Sequence, residues 1–236
     1  MGYRYDLHCH TAEGSKCSIF PVRDMVAFYK EKGYSGFVIT DHFSGNSAFD
    51  PAISWKDRIE RLYGIYDAAL DEAAKLGGVT PFLGLEYALR TDLKDMRAST
   101  GNHYLIYGLS KEFLLENEAA FCLDYNHCFD LLHEAGAYII HAHPFHEADF
   151  IKSIILTPRK EDAVEIVNGG CTDFENEFAL PYADRYGLAV CSGSDIHRPT
   201  HAHLRGIETE TPCTDIHDII NAIKERKVKI VRIDNQ

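Results

Sequence analysis

Long apolar segments are absent from this 236-residue sequence. No apolar run approaches the roughly 18 residues that a membrane-spanning helix needs, so the sequence predicts no membrane partner. The first residues also lack the basic cluster and apolar stretch of a secretory signal, because Arg4, Asp6, His8 and His10 interrupt them. We therefore expect an intracellular protein with a cytoplasmic location.

Paired cysteines are also absent. The chain has seven cysteines, an odd number, and no two of them form a CxxC pair. This scatter favours reduced, mostly buried thiols over the disulfide framework of a small secreted domain.

Basic residues are fewer than acidic residues in this sequence. Lysine and arginine number 24 against 36 acidic residues, which gives a formal net charge of −12. A general nucleic-acid-binding protein needs basic surface to displace counterions from the phosphates, so the charge argues against that class. We expect no nucleic-acid partner.

What the sequence does contain is a regular alternation of strand-like and helix-like segments, without a low-complexity linker. The seven main predicted strands span residues 5–8, 36–40, 80–87, 103–109, 137–143, 163–168 and 188–195, and a short one follows at 228–232. Helices are predicted at 21–33, 55–76, 126–135 and 215–226. Apolar strands separated by helices predict one α/β domain over residues 1–236, with a parallel sheet. Periodicity alone does not decide between an open sheet and a closed barrel.

Thirteen histidines are present, and several of them gather with acidic residues at the carboxyl ends of the predicted strands. These strand-end residues are His8, His10, Asp41, His42, Glu86, His141, His143, Asp195 and His197. His103 either opens the fourth strand or closes the loop before it. The chemistry of parallel α/β folds gathers at this edge. The pattern therefore predicts a functional site there.

The spacing within these motifs indicates metal binding. Alternate residues of a strand share a face, so His8 and His10 point together, as do Asp195 and His197. Imidazole and carboxylate groups suit divalent zinc, manganese or iron. Packed together without a cation, so many ionisable groups would be costly to desolvate. One such pair could equally be surface histidines, but the repeated pattern favours a metal site.

The motifs DLHCHT, ITDH, GLE, His103, HAHPF and SGSDIH, in that order from residue 6 to residue 197, resemble the PHP (polymerase and histidinol phosphatase) family. The resemblance implies an α/β fold of a particular kind, a distorted (β/α)7 TIM-like barrel. It also implies two to three divalent metal ions (zinc, manganese or iron) at the C-terminal mouth of the strands.

The resemblance implies three sets of ligands, carried over motif by motif. The first metal would be held by His8, His10, Glu86 and Asp195. The second would be held by Glu86, His103 and His143. The third would be held by His42 and His197 with one further ligand.

That further ligand is where the chain departs from the family. The family usually places a histidine or aspartate five or six residues after the second histidine of HxH, where this sequence has Ser15 and Lys16. Glu13 is the nearest acid and is our candidate ligand; otherwise it is a solvated loop acid and the third site is weak or empty. We expect His141 to orient a ligand by hydrogen bonding rather than to bind metal.

Closely spaced divalent metals suit in-line displacement at phosphorus, because they make hydroxide available at neutral pH and neutralise the phosphoryl oxygens. We therefore interpret the chain as a metal-dependent hydrolase of a small phosphorylated substrate, a phosphomonoester such as histidinol phosphate or a nucleotide phosphate. Asp195 and His197 are catalytic candidates for protonating the leaving alkoxide, provided that they are not fully committed to metal.

The guanidinium of Arg198, directly after the DIH motif, is the catalytic candidate for binding phosphate, because its planar fork matches phosphate oxygens. Arg90 and Arg97 are further candidates, and each of the three could instead be a solvated loop charge. Two other functions stay open: an exonuclease-type module that processes nucleic acid, and a metal-binding scaffold without activity. His201 and His203 are assigned to a loop after the seventh strand.

Overall fold

Nine strands form one sheet in the computed structural model, which describes residues 2–43, 47–49, 52–90, 100–149 and 151–234. The strands are β1 Tyr3–Cys9, β2 Gly36–Ile39, β3 Thr80–Ala88, β4 His103–Tyr107, β5 Tyr138–Ala142, β6 Ala163–Asn168, β7 Ala189–Gly193, β8 His203–Thr209 and β9 Lys229–Asp234. Their order in the sheet is β7-β6-β5-β4-β3-β2-β1-β8-β9.

The sheet curls so that β7 returns to β1. Cys9, the last residue of β1, forms a parallel bridge with Ile196 just beyond β7. The backbone N–H of His10 donates to the carbonyl oxygen of Ile196 at 3.0 Å. The predicted distorted α/β barrel is thus confirmed, and the alternative of an open sheet is excluded.

Helices lie between most of the strands. They are α1 Val22–Glu31, α2 Trp55–Leu76, α3 Lys111–Glu116, α4 Tyr125–Glu134, α5 Asp173–Glu177, α6 Ala179–Tyr186 and α7 Ile216–Lys224, with a 3-10 turn at Glu118–Cys122. The long helix α2 has the bounds that its periodicity predicts. It begins where the Ser54 side chain accepts the N–H of Asp57, and its buried face includes Ile59, Leu62 and Ala69. No helix in the described part of the chain is long and apolar enough to cross a membrane.

The expectation of a uniformly parallel sheet is wrong at β4, which runs antiparallel to both β3 and β5. A parallel strand would have to cross back over the sheet before pairing, whereas β4 begins opposite the end of β3, with His103 paired to Ala88. The reversal places the first residue of β4 at the same edge as the carboxyl ends of its neighbours. His103 therefore reaches the mouth from the start of its strand.

Strand β8 is also new relative to the sequence interpretation, which placed His203 in a loop. It pairs antiparallel with β1 and β9. Arg205 and Gly206 interrupt its apolar alternation, so the segment does not read as a strand. The glycine is required by contact with β1, because a Cβ at Gly206 would lie 2.2 Å from the carbonyl oxygen of Tyr5.

The interior of the barrel below the mouth is filled by apolar side chains from successive strands. They include Leu7, Val38, Phe82, Leu105 and Ile140, all buried. Since this floor is closely packed, the polar side chains of the mouth lie on a rigid apolar base.

Candidate metal centre

A bulge in β1 aims His8 and His10 into the barrel. Asp6 pairs with Phe37 of β2, but Cys9 pairs with Ile39, so β1 uses one residue more than its partner over this stretch. The extra residue reverses the alternation of inward and outward side chains. Leu7 belongs to the interior core, His8 and His10 join the cluster at the mouth, and Cys9 packs outside against α1.

Left-handed backbone conformations aim two further residues. Ile140 and Ala142 face the barrel interior and His141 faces outward, so regular alternation would also turn His143 outward. His143 instead adopts a φ of +32° and Asp195 a φ of +54°. Such conformations are unfavourable for residues with a Cβ, and they persist where the surrounding contacts enforce them.

The carboxylate of Glu86 lies at the centre of the cluster and is fully buried. Its Oε1 lies 3.2 Å from Nε2 of His8, 2.9 Å from Nδ1 of His103 and 3.4 Å from Nε2 of His143. Its Oε2 lies 2.5 Å from Nδ1 of His42. One carboxylate thus contacts four imidazoles within 3.4 Å, and Nε2 of His10 lies 3.6 Å from its Oε2. This is the geometry of a bridging group.

His8 and His10 converge on Asp195 beside this centre. Their Nε2 atoms lie 3.1 Å apart. The Oδ1 of Asp195 lies 3.6 Å from the His8 nitrogen and 3.2 Å from the His10 nitrogen.

Buried hydrogen-bond partners fix the orientation of these two imidazoles. Nδ1 of His8 lies 3.2 Å from the Glu165 carboxylate. Nδ1 of His10 lies 3.1 Å from Oγ of Ser15, whose hydroxyl donates to Asp41 at 2.8 Å and therefore accepts from the imidazole. With Nδ1 of each ring held by such a partner, the Nε2 atoms of both rings face the same point, as metal-binding histidines require.

Glu165 was missed by the sequence analysis. It is a lone acid in the apolar strand β6, and that anomaly could have drawn attention to it. Its carboxylate also accepts the backbone N–H of His143 at 3.0 Å and the Asn168 amide at 2.9 Å. Gly193 leaves room for these contacts, because a Cβ there would lie 2.4 Å from that of His8.

The site's charges shift the pKa values of its members strongly. Burial alone would raise the pKa of Glu86, but the neighbouring charges of His103 and His42 outweigh it and hold the pKa well below the usual value. Burial likewise opposes ionisation of Asp195, whose pKa is held well below its usual value mainly by His8. For His8, burial lowers the pKa, but Asp195 and Glu165 raise it well above the usual value.

The pKa of His10 is shifted in the opposite direction to that of His8. Burial, together with the charges of His42 and His197, holds the pKa of His10 well below its usual value. A neutral His10 keeps its Nε2 lone pair available to a cation.

The arrangement fits divalent cations. Glu86 Oε2 and His103 Nδ1 are buried and lack a hydrogen bond of acceptable geometry, although both lie within ion-pairing distance of neighbours. Four groups of three donors, each with atoms within 4.8 Å of one another, overlap here: His8, His10 and Asp195; His8, Glu86 and His143; His42, Glu86 and His103; and His10, His42 and His197. A cation between such donors would satisfy these buried atoms.

The cluster includes every predicted metal ligand except Glu13. The Glu13 carboxylate instead accepts the backbone N–H of Val22, at 3.1 Å and 3.3 Å from its two oxygens. It thereby caps the first turn of α1, where an acidic group is stabilised by the helix dipole. Its position gives no support to the expectation that it binds metal.

The hydrogen-bond partners of Ser15 and His141 also differ from those that the sequence led us to expect. Ser15, at the position where the family has a ligand, supports His10 and also accepts the N–H of His42 at 3.1 Å. His141 was expected to orient a ligand, but it faces out of the barrel and pairs with Glu161 at 3.1 Å.

Cys17 is the second residue that sequence reasoning missed. Its side chain is exposed and lies beside the imidazoles of His197 and His42. Burial raises the pKa of this thiol, but the two imidazoles outweigh burial and bring the pKa down to about 7.

The predicted arginines differ in their surroundings. Arg198 is exposed and adjoins His197 of the cluster, and its guanidinium makes no hydrogen bond or ion pair with the described residues. Arg90 donates to the carbonyl oxygen of Phe121. Arg97 lies outside the described residues.

A separate group of possible donors, formed by His146, Cys171 and Glu175, lies at the start of α5. The Glu175 carboxylate accepts the N–H of Glu147 and the N–H of Thr172, each at 2.6 Å. It therefore acts as a helix cap, with its acceptor positions already used.

The folds of several solved structures are similar to this chain. A two-domain protein of Bacteroides vulgatus that contains a predicted PHP-like metal-dependent phosphoesterase aligns with a TM-score of 0.66 and 15% identity, over 98% of this chain and 65% of its own. The chain thus spans about two-thirds of that protein. A protein of Bifidobacterium adolescentis described as a metal-dependent phosphoesterase aligns with a TM-score of 0.54 and 14% identity, over 95% and 96% of the two chains. An amidohydrolase of Chromobacterium violaceum with bound sulfate and no metal aligns with a TM-score of 0.57 and 14% identity, over 97% of each chain.

No curated protein matches the chain. The model of the PHP domain matches residues 6–180, which include His8, His42, Glu86 and His143 of the cluster. Since this match covers most of the chain, the protein belongs to the PHP domain family.

Proposed function

We propose that this protein is a metal-dependent phosphoesterase that hydrolyses a small phosphomonoester. The observation that carries the proposal is the buried Glu86 carboxylate, which contacts four imidazoles at the mouth of the barrel. When bound, zinc, manganese or iron ions supply Lewis acidity and make hydroxide available at neutral pH. We infer two to three ions, held by the overlapping donor groups.

The chain's own residues prepare this site before a substrate arrives. Glu165 and Ser15 hold the imidazoles of His8 and His10 so that their Nε2 atoms are directed at the same point. Because these contacts are buried, the imidazoles need little reorganisation on binding a cation.

Asp195 and His197 take different roles in this proposal. The low pKa of Asp195 keeps it a carboxylate, which suits a ligand and not a proton donor. Nδ1 of His197 lies 2.8 Å from the backbone carbonyl oxygen of Asp195 and donates to it, so Nε2 is left to bind a metal or to carry a proton for the leaving alkoxide. The two uses of Nε2 exclude each other.

Arg198 is the proposed phosphate contact. It is exposed beside His197, and its guanidinium can donate two parallel hydrogen bonds to phosphate oxygens. Arg90 is the weaker candidate, because its guanidinium already donates to a backbone carbonyl.

The experiment is a panel of substrates assayed with the full chain. The protein is stripped with chelator, reloaded with zinc, manganese or iron, and given phosphorylated metabolites, a chromogenic phosphomonoester, a phosphodiester, single-stranded DNA and an amide. We expect hydrolysis of phosphomonoesters that requires metal, and loss of both metal and activity when His10→Ala is combined with Asp195→Ala.

Other outcomes would overturn the proposal in different ways. Hydrolysis of DNA alone would favour the exonuclease-type module, against which the net charge of −12 argues. Metal binding without turnover of any substrate would favour a scaffold. Protein that binds no metal would remove the basis of the proposal.

A further inference from the structure

The Asp41 carboxylate is buried next to the candidate metal ligands, but it belongs to none of the possible donor groups in the described part of the chain. Its oxygens instead accept three hydrogen bonds. Oδ1 accepts the backbone N–H of Thr11 at 2.7 Å and the hydroxyl of Ser15 at 2.8 Å, and Oδ2 accepts the hydroxyl of Thr11 at 2.6 Å. The acid of the ITDH motif therefore organises its neighbours instead of facing a cation.

The loop from Thr11 to Ser15 is shaped around this carboxylate. The Thr11 hydroxyl accepts the N–H of Gly14 at 3.0 Å and gives its own proton to Asp41. A Cβ at Gly14 would lie 2.1 Å from Oδ2 of Asp41, so the close approach requires glycine. The backbone N–H of Ser15 donates to the carbonyl oxygen of Thr11 at 3.0 Å. These contacts fix the position of the Ser15 hydroxyl.

The Ser15 hydroxyl joins Asp41 to His10. A hydroxyl has one proton, and because Ser15 donates it to Asp41, the oxygen can only accept from its other partners. Those partners are the backbone N–H of His42 and Nδ1 of His10, each at 3.1 Å. Asp41, Ser15 and His10 are each exposed by 2% or less, so bulk water does not compete for these bonds.

We propose that Asp41 is a positioning residue that acts through Ser15 to hold a proton on Nδ1 of His10, which leaves Nε2 of His10 to bind a divalent cation. The proposal rests on the metal-dependent function above and adds the residue that controls one of its ligands. A carboxylate behind a metal-binding histidine is a common arrangement, and Glu165 provides it directly at His8. At His10 a hydroxyl is inserted between the carboxylate and the imidazole.

This relay also accounts for the departure from the family motif. Ser15 stands where the family has a ligand, and its hydroxyl oxygen is shared among Asp41, His10 and the backbone of His42. In this chain the position therefore orients a ligand instead of supplying one.

The test observes the tautomer of His10 by long-range ¹H–¹⁵N NMR of the metal-free full chain, labelled with ¹⁵N-histidine. The His10 signal is identified by its loss in His10→Gln. The variants are Ser15→Ala and Asp41→Ala, and the matched control is Thr11→Val, which removes the other hydroxyl bonded to Asp41 and keeps Ser15. We expect the proton on Nδ1 in the wild type and the control, and loss of that preference in both variants. A proton on Nε2 in the unmodified chain would overturn the proposal whether or not the variants fold.

Metal affinity separates the relay from a general effect of the loop. Competition for zinc with a chromogenic chelator is measured for the two single variants, for Ser15→Ala combined with Asp41→Ala, and for the Thr11→Val control. Each single variant should bind about 10–100-fold more weakly, the usual cost of losing such a support. The double variant should bind no more weakly than the weaker single variant, because both changes break the same chain of hydrogen bonds. Additive losses, or an equal loss in the control, would overturn the proposal.

The NMR result is independent of the proposed function, because it is obtained without metal or substrate. Metal-dependent hydrolysis by protein whose His10 carries its proton on Nε2 would overturn the relay and leave the proposed function intact. Protein that holds the Nδ1 proton but binds no metal would overturn the proposed function, and with it the role of the relay in metal binding.

Discussion

Glu86 and Glu175 each lie beside histidines, but only Glu175 has its acceptor positions filled by hydrogen-bond donors. Glu175 accepts two backbone N–H groups at 2.6 Å and the Thr172 hydroxyl at 2.7 Å. Glu86 contacts four imidazoles, yet its Oε2 atom has no hydrogen bond of acceptable geometry. The same residue types therefore make a helix cap in one place and a candidate cation site in the other, and the number of hydrogen-bond donors around each carboxylate distinguishes them.

The physical origin of the two low pKa values differs in the same way. For Glu175, burial raises the pKa, but backbone N–H groups outweigh it and lower the pKa to about 2. For Glu86, burial is outweighed by the charges of surrounding histidines. Backbone donors are permanent, whereas a charged histidine can give up its proton to make way for a metal.

The largest effect is expected from Glu86→Gln, with Glu175→Gln as its counterpart. Removing the Glu86 charge eliminates the group that contacts four imidazoles, so we expect loss of bound metal and of hydrolysis to below detection. Glu175→Gln should keep both and destabilise the fold by about 1 kcal/mol, the usual cost of a lost cap. Elemental analysis and thermal unfolding measure the two effects.

Similar behaviour of the two variants would contradict the distinction between Glu86 as a metal ligand and Glu175 as a helix cap. Full metal content in Glu86→Gln would mean that this carboxylate is not the bridging ligand. Loss of metal in Glu175→Gln would mean that the group at α5 is itself a metal site.

An intermediate effect is expected from Glu165→Gln, which weakens the support of His8 without removing a ligand. Loss of such a supporting group typically costs 10–100-fold in metal affinity. The matched control is Glu161→Gln, a buried acid that pairs with His141 outside the barrel. Competition with a chromogenic chelator should show the loss in the first variant only, and equal losses in both would indicate a general effect of structure.

The smallest effect is a dependence of metal affinity on pH. Burial lowers the pKa of His42, but Glu86 outweighs burial and raises it to about 10, so the metal-free site holds a proton there at neutral pH. A metal must displace that proton, and affinity should therefore rise with pH until the pKa is passed. Calorimetry in buffers of different ionisation enthalpy should show proton release on binding, and an affinity independent of pH would contradict this account.

Much of the fold follows from local sequence pattern. The bounds of α2 follow from its 3.6-residue periodicity and from Ser54 at its start. The direction of β4 does not, because an apolar strand reads the same whichever way it runs. Only its pairing with β3 and β5 determines that His103 lies at the mouth.

Some residues of the candidate site can likewise be recognised from the sequence, and others cannot. The clustered candidate ligands, among them His8, His10 and Glu86, stand out because histidine and acid are rare in apolar strands. The contact of Glu13 could not be read from the sequence, because proximity in sequence does not show that its carboxylate accepts the N–H of Val22 at the start of α1. Cys17 was overlooked because a lone loop cysteine carries no signal until the imidazoles beside it are known.

The sequence by itself determined which residue types meet at the mouth, because those residues follow strands whose ends must gather at one edge. The tertiary structure alone decided how they are aimed. The bulge in β1, the left-handed backbone of His143 and Asp195, and the Glu165 carboxylate behind His8 all depend on contacts between distant segments. Such contacts leave no periodic trace in the sequence, since each requires a partner that only folding brings near.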